Sequence, residues 1–451
     1  LILIAIVHIA LISVFTHFFH KALQKEALGG GYFIWGLRLK ILAGVVFGVL
    51  YRLYYEDGGD THFIFGEAVV LAEYAWISPW GYLKAMLWSD WGEARAMLFL
   101  TEQPRAMLMA KIESVFCLLT GNNYWLSSFY FSIISYAGMW YLANVLATIF
   151  PKSKKAAAGA FLFFPSVVFW SAGLSKEALL MCLLSVSVAF FLEYQYQGRF
   201  SKRRLLFVLL AFVCIWKLKY YYAAALFPLL LAWYGASRLG RFSFFENIWR
   251  QAALLLFLYG TLLGLATFLH PNLRFQAFVE ALWANQELMR LRSSPDNLIH
   301  YQDLEATWQS YLWHSPWALF SGLFRPLPWE MYRLVYLLPA LENTLLLLLS
   351  GYQLGLLCLI FFKKLPSRRG WGWFFSTYSK NTLLPLLALL LYTALLAVLL
   401  ALSSPNFGTL LRYKVGFLPF FAYLLLLYPL AQWEAYQQKK ALPPERNSAL
   451  E

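Results

Sequence analysis

The sequence predicts an all-α, polytopic membrane protein, and three observations carry that reading. Apolar runs of about 20 residues, enough to cross a hydrocarbon core as helices, recur along the chain. Hydrophobic residues fill 61% of the 451 positions and charged residues only 13%, against about a quarter in soluble domains. The charges that remain cluster between the apolar runs: Lys152, Lys154 and Lys155; Arg199, Lys202, Arg203 and Arg204; Lys363, Lys364, Arg368 and Arg369. The net charge of +14 therefore fits orientation in a membrane, and no nucleic-acid partner is expected.

The expected spans are 2–19, 34–54, 124–149, 156–173, 176–194, 204–217, 219–235, 251–270, 339–362, 382–403 and 415–432, roughly eleven helices. The first has neither a basic leader nor a cleavage site and reads as a retained membrane helix, not a signal peptide. Aromatic pairs near the run ends, such as Tyr124-Trp125 and Trp233-Tyr234, suit the headgroup region. Basic stretches at Lys21 to Lys40, Lys152 to Lys155, Arg199 to Arg204, Ser237 to Arg250 and Lys363 to Arg369 then share one side. The positive-inside tendency makes that side cytoplasmic, with the N-terminus outside and Lys439 and Lys440 inside.

Residues 1–432 accordingly read as a single transmembrane unit, followed by a polar cytoplasmic tail, 433–451, with Pro443-Pro444. No repeat of 20 to 50 residues is visible. Two outer-face segments, about 55–123 and 271–338, are too apolar for simple solvated loops. In the first, Arg105 to Thr120 carries Lys111 and Glu113, so it is expected to lie on the membrane as an amphipathic helix. The second, with Pro271, Pro316 and Arg325-Pro326-Leu327-Pro328-Trp329-Glu330, reads as a cap of helical pieces. Cys117, Cys182, Cys214 and Cys358 have no metal or redox spacing, and no disulfide is expected.

Charge is expensive in such a chain, so the acidic stretch Glu56-Asp57-Gly58-Gly59-Asp60 at the edge of a span calls for a functional account. Its two glycines permit a tight turn on which Asp57 and Asp60 converge. Asp60 is the candidate base, with Asp57 and Glu56 as supporting acids or metal contacts. The competing reading is a polar turn before the next helix, with Asp60 or Thr61 as its N-cap.

Lys176 and Glu177 open another apolar helix; Glu177 either faces a cavity or sits in a first turn capped by Ser175. Arg412, Tyr413 and Lys414 lie in an expected outer turn, where two cations run against the orientation rule. They suit an anionic partner such as a lipid phosphate, or snorkel to headgroups. Lys217 and Lys219, beside Tyr220, Tyr221 and Tyr222, can bind pyrophosphate, stack a sugar or anchor at the interface. Arg325, Trp329 and Glu330 are candidates for an acceptor side, unless Pro326 and Pro328 only shape the chain there. A divalent cation is conceivable beside Asp57, Asp60, His62, His300 and His314, but no ligand spacing asks for one.

The order of these features resembles the GT-C glycosyltransferases, the polyprenyl-phosphate-sugar-dependent membrane enzymes that include bacterial aminoarabinose transferases and protein mannosyltransferases. The resemblance rests on an outer loop with Asp60, then Phe65, Ala68 and Leu71 on a helix. A surface helix from Pro104-Arg105 to Leu118-Leu119-Thr120-Gly121 follows, and later Phe164-Pro165-Ser166 and Ser171-Ala172-Gly173-Leu174-Ser175-Lys176-Glu177. It covers residues 34–204 best; beyond about residue 250 it is confined to Arg325 to Glu330 and Asn406 to Pro419. One departure is that a helix precedes the one leading into the acidic loop.

The resemblance implies inverting transfer of a sugar from a polyprenyl-phosphate donor to an extracytoplasmic lipid, glycan or protein acceptor at the bacterial inner membrane. It puts Asp60 at the family's loop-aspartate position and Glu177 near a second acidic position. Membrane lipids, and conceivably other membrane proteins, would be partners. Two alternatives stand beside it. A lipid-linked polysaccharide polymerase or ligase would work through arginines more than an early acidic loop. A non-catalytic subunit that keeps the scaffold would have lost lipid-phosphate binding.

Overall fold

Apolar helix-forming runs, punctuated by glycine, proline and short polar caps, set most of the architecture. The structure, a computed structural model, describes residues 2–22, 26–54, 59–245, 247–268, 274–331, 333–361 and 383–441. The acidic-stretch residues Tyr55, Glu56, Asp57 and Gly58, the basic stretch Lys363 to Arg369, Pro271 and the chain after Ala441 lie outside the described residues. In chain order the helices are α1 (Ile2–Ala22), α2 (Gly29–Tyr54), α3 (Gly59–Ile77), α4 (Pro79–Trp88), α5 (Pro104–Thr120) and α6 (Tyr124–Ile149). Then come α7 (Lys154–Ala158), α8 (Pro165–Trp170), α9 (Lys176–Gln197), α10 (Lys202–Leu239), α11 (Ile248–Ala266) and α12 (Phe275–Arg292). The last are α13 (Trp308–Phe324), α14 (Leu337–Phe361), α15 (Leu383–Ser403), α16 (Phe407–Lys414) and α17 (Leu418–Ala441). Among the described residues the β-structure recorded is an isolated bridge between Leu298 and Asn406.

Among the described residues, seven helices are long and apolar enough to cross a membrane, or eight if the bent pair α16 and α17 counts as one span. The protein is thus a polytopic helical one. Three differences take the roughly eleven expected spans to eight, and leaving out the bent pair gives seven. Helix α1 contributes only a shorter apolar run, Ile6–Phe18. The expected span 156–173 is broken: α7 passes into a π-helical turn, Gly159–Phe163, and Phe164 leaves helical geometry at ψ 116° before Pro165 starts α8. Proline has no amide hydrogen and disfavours the α conformation in the residue before it, and here the helix breaks at that point. The expected spans 204–217 and 219–235 are one helix, α10, interrupted where Lys219 has non-helical angles (φ −153°, ψ 81°).

The chain divides into two compact units, Leu1–Val145 with Val167–Ala223 and Leu146–Ser166 with Ala224–Glu451. In the first unit a row on α2, Gly36, Lys40, Gly44 and Gly48, recurs at helical spacing and faces α6 and its neighbours. A Cβ on Gly36 would fall 2.6 Å from the Tyr136 hydroxyl, and one on Gly44 would fall 2.5 Å from Ser132 Oγ. Small residues let membrane helices approach this closely. Lys40 is the long side chain in that row, and it is buried. Its ammonium donates to Ser171 Oγ and to the Val168 carbonyl at 3.4 Å, at the end of α8. This corrects the expected basic stretch Lys21 to Lys40: Lys40 lies inside a helix, where it cannot contribute to orientation. The aromatic anchors need the same correction, since Tyr124 and Trp233 are both buried.

Helix α9 runs between two polar ends of this unit. Near its C-terminus, Glu193 receives Arg199 at 3.1 Å, Arg204 at 2.8 Å and the Tyr141 hydroxyl. Glu177 stands sixteen positions earlier, about 24 Å along the helix, close to the thickness of a hydrocarbon core.

In the second unit α13 lies so close against α15 that a Cβ on Gly322 would meet the Ala397 carbonyl oxygen at 2.2 Å. Helix α17 packs on the π-helical turn through Phe420 and Tyr423 against Phe161. At the break before α8, Glu342 of α14 accepts from the Ser166 amide at 2.8 Å and from the Ser166 hydroxyl, satisfying donors that a helix start leaves open. The stretch expected as a turn, Asn406 to Lys414, is helical: Asn406 caps α16 by accepting from the Thr409 amide at 3.0 Å. Helix α17 runs to Ala441, into the stretch expected to be a polar tail from residue 433.

Candidate functional site

At one end of the first unit, three helix starts are tied together: α3, α9 and the second half of α10. Asp60 lies in the first turn of α3, preceded by Gly59 at φ +62°, and its side chain is exposed. Thr61 is not an N-cap. Its hydroxyl donates to the Leu174 carbonyl at 2.6 Å, which ties the start of α3 to the turn that leads into α9. Ser132 Oγ accepts from the Gly173 amide at 2.9 Å in the same turn. Ser175 caps α9, accepting from the Ala178 amide at 3.1 Å, and Lys176 is half-buried beside it.

Glu177 and Lys219 are given to each other. Both are buried, with Lys219 Nζ 2.5 Å from Glu177 Oε1, so neither presents its charge to solvent. Glu177 takes the alternative place expected for it, in a first turn capped by Ser175, and Lys219 is engaged by it. A lone buried charge is far costlier than a paired one, and the break in α10 brings the two together. Lys217, two positions earlier, is exposed, and the Arg105 guanidinium lies 5.0 Å from the Tyr220 ring centroid.

His62 stacks on Tyr124 with centroids 4.3 Å apart and planes at 12°. Burial lowers the proton affinity of its imidazole; a hydrogen bond with the Gly48 backbone opposes this, and the Arg52 charge adds to the lowering. Its Nε2 is enclosed without a hydrogen-bond partner.

Beneath this end lies α5, closed by Gly121 in the left-handed region at φ +63°. Glu113 of α5 is 1% exposed and its Oε2 has no hydrogen-bond partner. Burial holds this carboxyl well above the ordinary carboxylate range; the Lys176 charge opposes that effect and the Asp60 charge adds to it. Lys111 donates to the Met86 carbonyl at 3.1 Å and Ser89 Oγ at 3.0 Å and lies over the Trp91 ring. Burial pulls its ammonium below the ordinary lysine range, as does the Lys217 charge.

Glu113 was not among the sequence candidates. The signal was present: an acid in the apolar stretch Met107 to Leu119, with Lys111 two positions away and so on another face of the helix.

The second unit holds its polar side chains differently. Arg325 pairs with Glu330, its Nε 2.6 Å from Oε1, and lies between the Trp317 and Phe407 rings, 5.1 Å from each centroid. Glu330 also accepts from the Leu327 amide at 2.8 Å. Lys414 is fully buried, donating to the Arg325 carbonyl at 2.8 Å, the Leu323 carbonyl at 3.3 Å and Asn343 Oδ1 at 3.4 Å. It cannot snorkel to headgroups, and these acceptors occupy its three donors. Arg412 and Tyr413 are partly exposed, with the guanidinium 5.7 Å from the Tyr413 ring centroid. Trp329 is exposed.

His300 meets the Pro295 carbonyl at 3.2 Å, and His314 meets those of Ser310 at 2.7 Å and Gln302 at 2.8 Å. Among the described residues no group of three His, Cys, Asp or Glu could hold a metal ion. The cysteines are free.

The sequence matches no family model, no curated protein and no solved structure.

Chemically, this end of the first unit offers an exposed carboxylate on a helix start, with Lys176 at the next helix start and an exposed ammonium, Lys217, near the break in α10. Helix starts and ammonium groups favour anions, and a surface carboxylate can accept a proton from a hydroxyl.

Proposed function

We propose that the protein is an integral membrane glycosyltransferase that moves a sugar from a polyprenyl-phosphate donor to a hydroxyl of an extracytoplasmic lipid, glycan or protein. The observation that carries this reading is the exposed Asp60 carboxylate on a helix start tied to the Lys176-bearing start of α9. Asp60 takes the proton of the acceptor hydroxyl. The acceptor oxygen bonds to the anomeric carbon as the bond from that carbon to the phosphate oxygen breaks and its electron pair leaves with the phosphate. Lys176, Lys217 and the amides at the start of α9 favour the charge that develops there.

The buried Glu177–Lys219 pair has a positioning role, fixing the start of α9 against the break in α10. In the second unit, Arg412 and Tyr413 are proposed contacts for an anionic lipid headgroup. The basic stretch Arg199 to Arg204 supports a cytoplasmic location for its end of α9. The membrane is proposed to be a bacterial inner membrane, with Asp60 on its outer face.

The test is binding and turnover of a panel of polyprenyl-phosphate sugars by the full chain in lipid nanodiscs. Wild type is expected to bind and turn over at least one donor, and Asp60→Asn to bind it without turnover. Turnover that survives in Asp60→Asn removes the base assignment. A folded wild type that binds none of the panel replaces the enzyme reading with that of a non-catalytic scaffold subunit.

A further inference from the structure

We infer that Glu113 is the proton-holding member of a three-group charge cluster with Asp60 and Lys176, and that its proton keeps the Asp60 site open to anions. The geometry is a buried carboxyl on α5, with an oxygen that has no hydrogen-bond partner, packed under the starts of α3 and α9. Helix α5 shares one buried apolar cluster with α3 and the start of α9, including Ile64, Leu71, Cys117, Leu174 and Ala178. A carboxylate with an unmet oxygen in that setting is costly, and the protonated acid is less so.

The groups that face it come from each neighbouring element. Helix α3 supplies Asp60, while Glu67 is held by the amides of Phe99 and Leu100. Helix α9 supplies Lys176, and α6 supplies Tyr124. On α5 itself stands Cys117, whose thiol is pushed up to about 12 by burial first and then by Glu113.

The consequence is a charge count. With Glu113 protonated, Asp60 supplies the negative charge of the cluster and Lys176 the positive one. Ionising Glu113 adds a second negative charge below the place where an anion would meet Lys176. An anion drawn to Lys176 in turn strengthens the hold of Glu113 on its proton, by linkage. The cluster does not require glycosyl transfer; the anion arm of the test rests on the function proposed above.

The first arm needs no activity. Dicyclohexylcarbodiimide reacts with protonated carboxyls in apolar surroundings: the acid proton goes to a carbodiimide nitrogen, the carboxyl oxygen bonds to the central carbon, and the adduct rearranges to a stable N-acylurea. With full-length protein in nanodiscs, mass spectrometry should find Glu113 modified at about pH 7, where an unperturbed glutamate is ionised. Glu113→Gln is the blank. The pH at which labelling is half lost should rise in Lys176→Met and fall in Asp60→Asn. No modification at Glu113 at neutral pH, or a midpoint unmoved by both variants, overturns the inference.

The second arm compares undecaprenyl phosphate binding by wild type and Glu113→Gln at each pH, which cancels the titration of the lipid itself. Affinities should agree at every pH where Glu113 is still labelled and diverge about tenfold, with the wild type weaker, above the pH at which labelling is lost. Equal pH slopes overturn the coupling of Glu113 to the anion. If labelling behaves as expected and the wild type binds the lipid phosphate at no pH, the charge cluster stands and the phosphate reading of the site falls.

Discussion

The two units part at one buried carboxyl each, Glu342 in the second and Glu113 in the first. In the second, Lys414 is bound by two backbone carbonyls and an amide oxygen, Arg325 by Glu330 and two aromatic rings, and Glu342 by Ser166. In the first, Glu177 and Lys219 are paired with each other, Asp60 and Lys217 are exposed, and Glu113 is buried with its Oε2 lacking a hydrogen-bond partner. A polar group satisfied by its own fold contributes to architecture. One that is exposed, or buried with an oxygen unmet, calls for a functional account.

The largest expected effect separates the two kinds of group. Asp60→Asn should lower turnover by about 10²- to 10⁴-fold, the usual contribution of a general base, and leave stability within about 0.5 kcal/mol. Thermal unfolding measured alongside single-turnover rates checks both halves, and a stability loss matching the rate loss would break the contrast. Next comes Lys219→Met, which strands the Glu177 carboxylate and should cost about 3–5 kcal/mol. Adding Glu177→Gln should restore much of that loss, so a double-mutant cycle in denaturant unfolding that shows simple additivity would remove the pair from the architecture.

Lys414→Met should destabilise by about 2–3 kcal/mol, because the Leu323 and Arg325 carbonyls and Asn343 lose their donor. Its influence on lipid-phosphate affinity should be no larger than that of an unrelated destabilising change. A selective loss of affinity at unchanged unfolding temperature would return Lys414 to the binding residues. The smallest effect is expected for Lys217→Ala: unfolding should shift by less than about 0.5 kcal/mol, while the salt dependence of anion binding becomes shallower. An unchanged salt slope would remove Lys217 from the anion site.

Much of this arrangement was legible in the sequence, for local reasons. The start of α5 at Pro104 and its stop at Gly121 follow from the preference of proline for the first turn and of glycine for the left-handed cap. The bounds of α6, Tyr124–Ile149, follow from an uninterrupted apolar run. The Ser175 cap and the first-turn place of Glu177 were readable from Ser-Lys-Glu ahead of that run. The expected 156–173 span failed at a signal that was present, Pro165, because apolar composition outweighed it.

What the sequence determined by itself was the class: helices, their capping residues, and the scarcity of charge that makes each ionisable residue informative. Those are properties of neighbours within a few positions, and hydropathy and backbone geometry settle them without a fold. Only the tertiary structure decided which charges meet. Lys219 lies forty-two positions from Glu177, Lys414 eighty-nine from the Arg325 carbonyl, and Lys40 more than a hundred from its acceptors on α8 and the turn after it. Whether a lysine binds a ligand, snorkels or closes an ion pair depends on what stands within about 4 Å of its ammonium, and packing between distant helices sets that distance.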